Sequence, residues 1–338
     1  MHGELAALGV GELDSVTGFE TRGDGHGVAS CAGLSYIRHT LPGVSTTFEN
    51  NPASLVDPVP EGPRRPALSP SRAADFKQCP LLYRYRAIDR FPETSTTAQV
   101  KGTVVHSALE NLFDMPAHLR TPDTADVLVD AAWDTLCEKE PALRALVPDT
   151  DVPAFLAEAH RLLTTYYTME DPTAFEAESC ELRIEVDLAD DVALRGFVDR
   201  IDVAPTGEVR VVDYKTGRSP SELFEARALF QMKFYALAIL RLRGVVPHRL
   251  QLMYLADGQQ LRYTPDRDEL ERFAGTLTAI WRAITDAGAT GDFRPKKSRM
   301  CQWCDHKARC PEFGGEIPEY PGWPGRPAED SAADYLAS

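Results

Sequence analysis

The clearest period in the chain is the alternation of Leu182, Ile184, Val186 and Leu188 with charged residues in "ELRIEVDL", which predicts a half-buried β-strand over 181–188. Two more strand-type runs follow, "VALRGFVDRIDVA" (192–204) and "EVRVVDYK" (208–215), with a hairpin turn expected around Pro205-Thr206-Gly207. Upstream the period is helical. In "VKGTVVHSALENLF" (100–113), Val104, Val105, Ala108, Leu109 and Leu112 share one face. Before it, "LSPSRAADFKQCP" reads as a helix capped by Ser69, with Pro70 in its first turn and an end near Cys79-Pro80. Residues 124–169 read as two or three helices broken at Pro141 and Pro148. A helix over 221–243, a strand over 248–255 and a long helix over 266–287, capped by Asp266, complete the periodic part.

This order predicts a mixed α/β fold, a central mixed sheet flanked by helices, with an inserted helical region at about 115–175. Residues 1–62 mix Gly, Ser, Thr and Pro without a sustained period and are expected to be a disordered leader; Val44 would suit an alternative start. Residues 316–338, rich in acid, Pro and Gly, are expected to be a flexible tail. A chain of 338 residues, 43% of them hydrophobic, can bury a sizeable core. No apolar run reaches the length of a membrane span, and the N-terminus lacks the basic start and apolar block of a secretory signal. The expected compartment is therefore a reducing cytoplasm, where seven cysteines read as thiols or metal ligands.

The net charge of −15 argues against a protein that coats nucleic acid over its whole surface. The distribution is uneven. Residues 64–90 carry seven Arg/Lys against two acids, and residues 294–309 carry six against one. These two basic islands suit either a local anion site or ordinary solvated faces.

The chemistry begins with Asp213 and Lys215 in "VVDYKTG". Two residues apart in a strand, they project to the same side. Asp199 in "RGFVDRID" ends the strand before the hairpin and can converge on Asp213. His106 lies on the early helix, with Glu110 one turn on. Two carboxylates, an imidazole and a lysine at one place suit a divalent cation, Mg²⁺ or Mn²⁺, with a cation left over to act on a substrate oxygen. Asp202 reads as a turn or salt-bridge residue.

Four motifs stand in order: G-x-x-x-H (Gly102 to His106), G-x-x-D (Gly196 to Asp199), D-x-K (Asp213 to Lys215) and Q-x-x-x-Y (Gln231 to Tyr235). Together they resemble the PD-(D/E)xK nuclease superfamily over about residues 66–314. The likeness is greatest to its RecB-like branch, which includes the nuclease domains of RecB and AddB and the CRISPR adaptation exonucleases. The resemblance implies a restriction-endonuclease-like fold over 63–315. His106, Asp199, Asp213 and the backbone carbonyl of Tyr214 would be metal ligands, and Lys215 the catalytic lysine. Gln231 and Tyr235 would lie near DNA and the active site. It also implies a DNA exonuclease acting on single-stranded or frayed ends in repair or recombination.

"CQWCDHKARC" places Cys301, Cys304 and Cys310 near the C-terminus, and Cys79 stands far upstream. Four thiolates suit a 4Fe–4S cluster or zinc, and His306 inside the loop keeps the zinc reading open. By the resemblance, one distant cysteine followed by C-x2-C-x5-C is the pattern of the iron–sulfur members of the branch. The cluster would tether the two ends of the domain through a binding segment at 294–313. It would gather both basic islands on one side, with Lys296, Lys297 and Arg299 contacting DNA phosphates. Cys137 and Cys180 read as buried thiols, and Cys31 lies in the leader. No G-x-x-x-x-G-K-[ST] motif is present, so a helicase or repair partner would have to supply any motor. Two other readings remain: a non-catalytic DNA-binding or assembly subunit of a helicase–nuclease complex, against which Lys215 argues, and an RNA-processing nuclease.

Overall fold

Helices α1, α3, α4 and α8 begin where a side chain satisfies a free N–H group. Ser69 accepts from the Arg72 N–H at the start of α1 (Pro70–Gln78), and Pro70 supplies a preset φ. The chain then bends at Cys79 and Pro80 restarts a helix, α2 (Pro80–Ala87), where the sequence reading stopped. A reciprocal capping box between Thr96 and Gln99 opens α3 (Thr97–Asp114). Thr121 caps α4 (Pro122–Lys139), which is followed by the short α5 (Leu143–Leu146) and by α6 (Val152–Met169). The computed structural model describes residues 66–189, 192–220 and 225–324. The leader expected over 1–62 and the last part of the expected tail lie outside the described residues.

The three predicted strands form β1 (Ser179–Ala189), β2 (Val192–Val203) and β3 (Val209–Lys215), antiparallel in sequence order. Gly207, at φ +93, makes the tight turn between β2 and β3. Helix α7 (Glu225–Arg243) carries the chain across to β4 (Arg249–Tyr254), which pairs parallel to β3. A fifth strand, β5 (Gln259–Tyr263), pairs antiparallel with β4 and completes a mixed sheet of order β1-β2-β3-β4-β5. Helix α8 (Arg267–Thr290) starts at Asp266, whose carboxylate accepts from the Glu269 N–H, and stops at Gly291 in the left-handed region.

Two cores result, one on each face of the sheet. Residues of α1, α2, α7 and α8 bury one face, around Leu194, Val198, Ile201, Val211, Leu250 and Leu252. On the other, α3, α4 and α6 pack over Val212, Tyr214, Met253 and Leu255. The helical region expected at 115–175 is thus a covering layer of the sheet. The expectation of a loose tail from residue 316 needs correction for 318–323. Buried Arg84 donates to the carbonyls of Pro318 (2.7 Å) and Glu319 (2.8 Å) and pairs with Asp89. The Tyr320 hydroxyl donates to the Gly288 carbonyl, and the Trp323 ring lies so close to Gly288 that a Cβ there would meet it at 2.2 Å. Aromatic anchors override an acidic, Pro-rich composition in this stretch. No described helix is long and apolar enough to cross a membrane.

Candidate active site

Strand pairing brings the carboxylates together. In the β2–β3 register Arg200 faces Val212; in β1–β2, Val198 faces Leu182 and Arg200 faces Cys180. Asp199 therefore stands between Asp213 on one neighbouring strand and Glu181 on the other, a row of three carboxylates across three strands. Glu181 has φ +46, a left-handed conformation uncommon for a residue other than glycine. Two glycines of the motifs have steric jobs here. A Cβ at Gly196 would lie 2.9 Å from the Tyr235 ring, and one at Gly102 would lie 3.4 Å from the Thr216 hydroxyl.

His106 enters from α3. Its Nδ1 is 3.4 Å from Asp199 Oδ2 and 3.8 Å from Glu181 Oε1, and its Nε2 is 3.0 Å from the Tyr214 carbonyl oxygen. The Tyr214 N–H donates to Asp199 Oδ2 at 2.7 Å. Lys215 Nζ sits 2.5 Å from Asp213 Oδ2, and the Gln231 amide donates to Asp213 Oδ1 at 2.7 Å. His106, Asp199, Asp213, Tyr214, Lys215 and Gln231, singled out from sequence, thus meet at one place. Burial, first, and the nearby Glu181 carboxylate raise the Glu110 pKa.

Tyr235 lies one turn along α7 from Gln231. It is buried under β2, and its hydroxyl hydrogen-bonds the Gln231 side chain, so it supports Asp213 through Gln231. Glu181 is the residue sequence reasoning passed over. Its left-handed backbone interrupts the strand just before the alternation begins, and that leaves no periodic signal.

The site carries more negative charge than its burial favours. Burial, first, and the neighbouring Asp213 push the Asp199 pKa up to about 7, although His106, the Tyr214 N–H and Lys215 pull it down. Burial pulls His106 down, but Glu181, Asp199 and Asp213 outweigh it and raise its pKa. A bound cation would relieve both. Among the described residues, His106, Glu181 and Asp199 are the group whose ligand atoms all lie within 4.8 Å of one another.

Next to Asp199 in β2, Arg200 is fully buried under α3 and α6. It pairs with Glu170 (2.5 Å) and Asp202 (3.0 Å), donates to the Tyr214 hydroxyl and stacks on Phe113 and Phe175. Asp202 also accepts from Arg210, so it is a salt-bridge residue. This network clamps α6 to the strands that carry Asp199 and Tyr214.

A second constellation joins the ends of the described chain. Each of four cysteine sulfurs receives a backbone N–H: Cys79 from Lys296 (3.4 Å), Cys301 from Ser298 (3.3 Å), Cys304 from His306 and Cys310 from Glu312. All four are free thiols. Burial, first, raises the Cys304 and Cys310 pKa values, and the charges of their fellow cysteines add to this. His306 is buried between Tyr85 and Phe91 with Nε2 3.0 Å from Glu93, engaged away from the sulfurs. Cys137 is buried and Cys180 half-buried.

The two basic islands do meet, since Lys296 Nζ donates to the Lys77 carbonyl. Several of their cations are committed to structure, including Arg84 to the strap at 318–319 and Arg86 to Asp75 and Glu93. Lys296, Lys297 and Arg299 are exposed, with Lys297 over the Phe313 ring.

A profile of the PD-(D/E)XK nuclease superfamily matches residues 67–311. The chain is similar to the Gene 69 protein of Mycobacterium phage L5, at 30% identity over 136 residues, 39% of this chain and 44% of that protein. It therefore spans less than half of that relative. It is also similar to the Gene 69 protein of Mycobacterium phage D29, at 24% identity over 73% of this chain and 97% of that protein. A crystal structure from Eubacterium rectale, provisionally described as an exonuclease, aligns with TM-score 0.49 and 13% identity over 71% of this chain and 87% of that one.

Proposed function

The chain belongs to the PD-(D/E)XK nuclease superfamily, and we propose that it is a metal-dependent deoxyribonuclease of the RecB-like branch, an exonuclease acting on single-stranded or frayed DNA ends in repair or recombination. The observation that carries the chemistry is the row Glu181–Asp199–Asp213, with His106 on one side and Lys215 on the other. The branch rests on the order of the four motifs and on the cysteine spacing, and the preference for ends is what the likeness to that branch implies.

His106, Asp199, Asp213 and the Tyr214 carbonyl, with Glu181 beside them, would hold Mg²⁺ or Mn²⁺. A divalent cation there supplies Lewis acidity toward a phosphate oxygen and a water of lowered pKa. Lys215 would orient the attacking water and offset negative charge gathering on the phosphate. Gln231 holds Asp213 in position, and Tyr235 holds Gln231. An assay on end-labelled single-stranded DNA, duplex DNA and RNA decides between readings. Cleavage of DNA with Mn²⁺ or Mg²⁺ and none in EDTA is expected; cleavage of RNA alone would favour an RNA-processing nuclease. The lysine paired to Asp213 speaks against a non-catalytic binding subunit.

The raised pKa of Asp199 gives this site a pH dependence with a definite sign. Only the deprotonated carboxylate is a good ligand, so protons compete with the metal as pH falls through about 7. One such proton weakens Mn²⁺ binding by about tenfold between about pH 8 and about pH 6, and protonation of His106 adds to the loss. Calorimetric Mn²⁺ titrations at the two pH values test this, and equal affinities would contradict it.

By the likeness of the Cys79 and C-x2-C-x5-C spacing to the iron–sulfur members of the branch, the four cysteines would hold a 4Fe–4S cluster in preference to zinc. Backbone N–H groups on every sulfur are suited to a thiolate-held cluster. Free thiols at the described cysteines agree with a cytoplasmic protein, working alone or beside a helicase or repair partner.

DNA binding is expected to draw on the joined basic islands. Replacing Lys296, Lys297 and Arg299 together by Ala should weaken binding to all sequences alike and reduce the slope of log K against log salt by about 2. An unchanged slope at equal affinity would place the DNA path elsewhere.

A further inference from the structure

Phe197 is 54% exposed although it lies in the middle of β2. Its neighbours Gly196 and Val198 face α7 and its core, so Phe197 turns to the opposite face of the sheet. There its partner across the strands is Arg183, and Arg195 stands two residues back. Both guanidiniums donate to Glu185, at 2.6 and 2.7 Å, on the face to which the ring turns. Asp199 is two residues further along the same strand, roughly 7 Å away at strand rise. The aromatic patch and the carboxylate row are therefore contiguous.

Among the described residues no aromatic or cationic partner covers this ring. Building on the nuclease reading above, we propose that Phe197 is a stacking subsite for an unpaired nucleobase next to the phosphate held at the carboxylate row, with Arg183 and Arg195 beside the backbone phosphates. A base in a duplex has both faces covered by its neighbours, whereas a base in a single strand offers one to an aromatic side chain, whatever its identity. The chemistry that fits is an unpaired strand, read by its π-faces and not by its sequence.

The test measures binding in EDTA, so that no cleavage intervenes, by anisotropy with two labelled strands of equal length: oligothymidylate and an abasic strand carrying the same phosphates. Wild-type protein should prefer the strand with bases by about 5- to 150-fold, the range for one aromatic–base stack. Phe197→Ala should lose that preference while keeping its affinity for the abasic strand, and Phe197→Tyr should retain it. Equal affinities in the wild type, or an unchanged preference in Phe197→Ala, would overturn the proposal. The nuclease reading fails separately: a wild type that keeps the base preference but cleaves nothing with metal would remove the activity and leave the subsite standing.

Discussion

Asp213→Ala and Lys215→Ala, made separately, are each expected to lower metal-dependent cleavage by about a thousandfold or more, the scale of losing a transition-state electrostatic partner, while DNA binding largely survives. The two side chains share one face of β3 and touch at 2.5 Å. Their losses act in different ways. Removing Asp213 deletes a ligand group and one of the charges that raise the Asp199 pKa, so the metal-free Asp199 should titrate lower in this variant. Removing Lys215 leaves the carboxylate row intact and deletes the cation facing the phosphate. Manganese affinity therefore separates them, falling in Asp213→Ala and persisting in Lys215→Ala. Wild-type rates in both variants would exclude these residues from the chemistry.

The second large effect is expected at Cys79. Protein prepared without oxygen should be brown, with about four irons per chain. Cys79→Ser should lose the colour and most of the iron. Cys79 and Cys301 are 222 positions apart in the sequence, so a shared cluster would close most of the domain into a loop. Losing a crosslink of that kind costs roughly 3 kcal/mol, which lowers Tm by about 6 to 12 °C in a chain of this size. Cleavage should fall indirectly, because the loop before α3 is held by the cluster segment, where Asp305 accepts from the Thr94 N–H. Cys137→Ser should retain colour and iron. A colourless preparation with one zinc per chain would replace the cluster by a zinc site.

Much of the fold was legible because alternation and helical period are strong where an element has one buried face. β1 to β4 and the helices carrying His106 and Gln231 follow from that pattern. β5 did not, because its residues are half-buried or exposed and backbone pairing with β4 holds it at the edge of the sheet. α2 was hidden by the proline that starts it. In the site, residues tied to a motif at fixed spacing were found, since a strand places Asp213 and Lys215 together whatever surrounds them. Glu181 depends on a local backbone conformation and on register with Asp199, neither of which a linear pattern encodes. The strap at 318–323 was missed because its anchoring contacts lie on α2 and α8, remote from it in the sequence.

That strap sets an order of events during synthesis. Arg84 is made 235 residues before Glu319, whose carbonyl it binds. At about 5–20 residues per second, the interval is roughly 10 to 50 seconds. Throughout it the guanidinium lacks two of its native acceptors, and Cys79 lacks the three cysteines grouped with it. The strands and the carboxylate row can assemble on the nascent chain, but the N-terminal helices reach their final packing only once the C-terminus has emerged. A domain built this way is finished last at the point where it began.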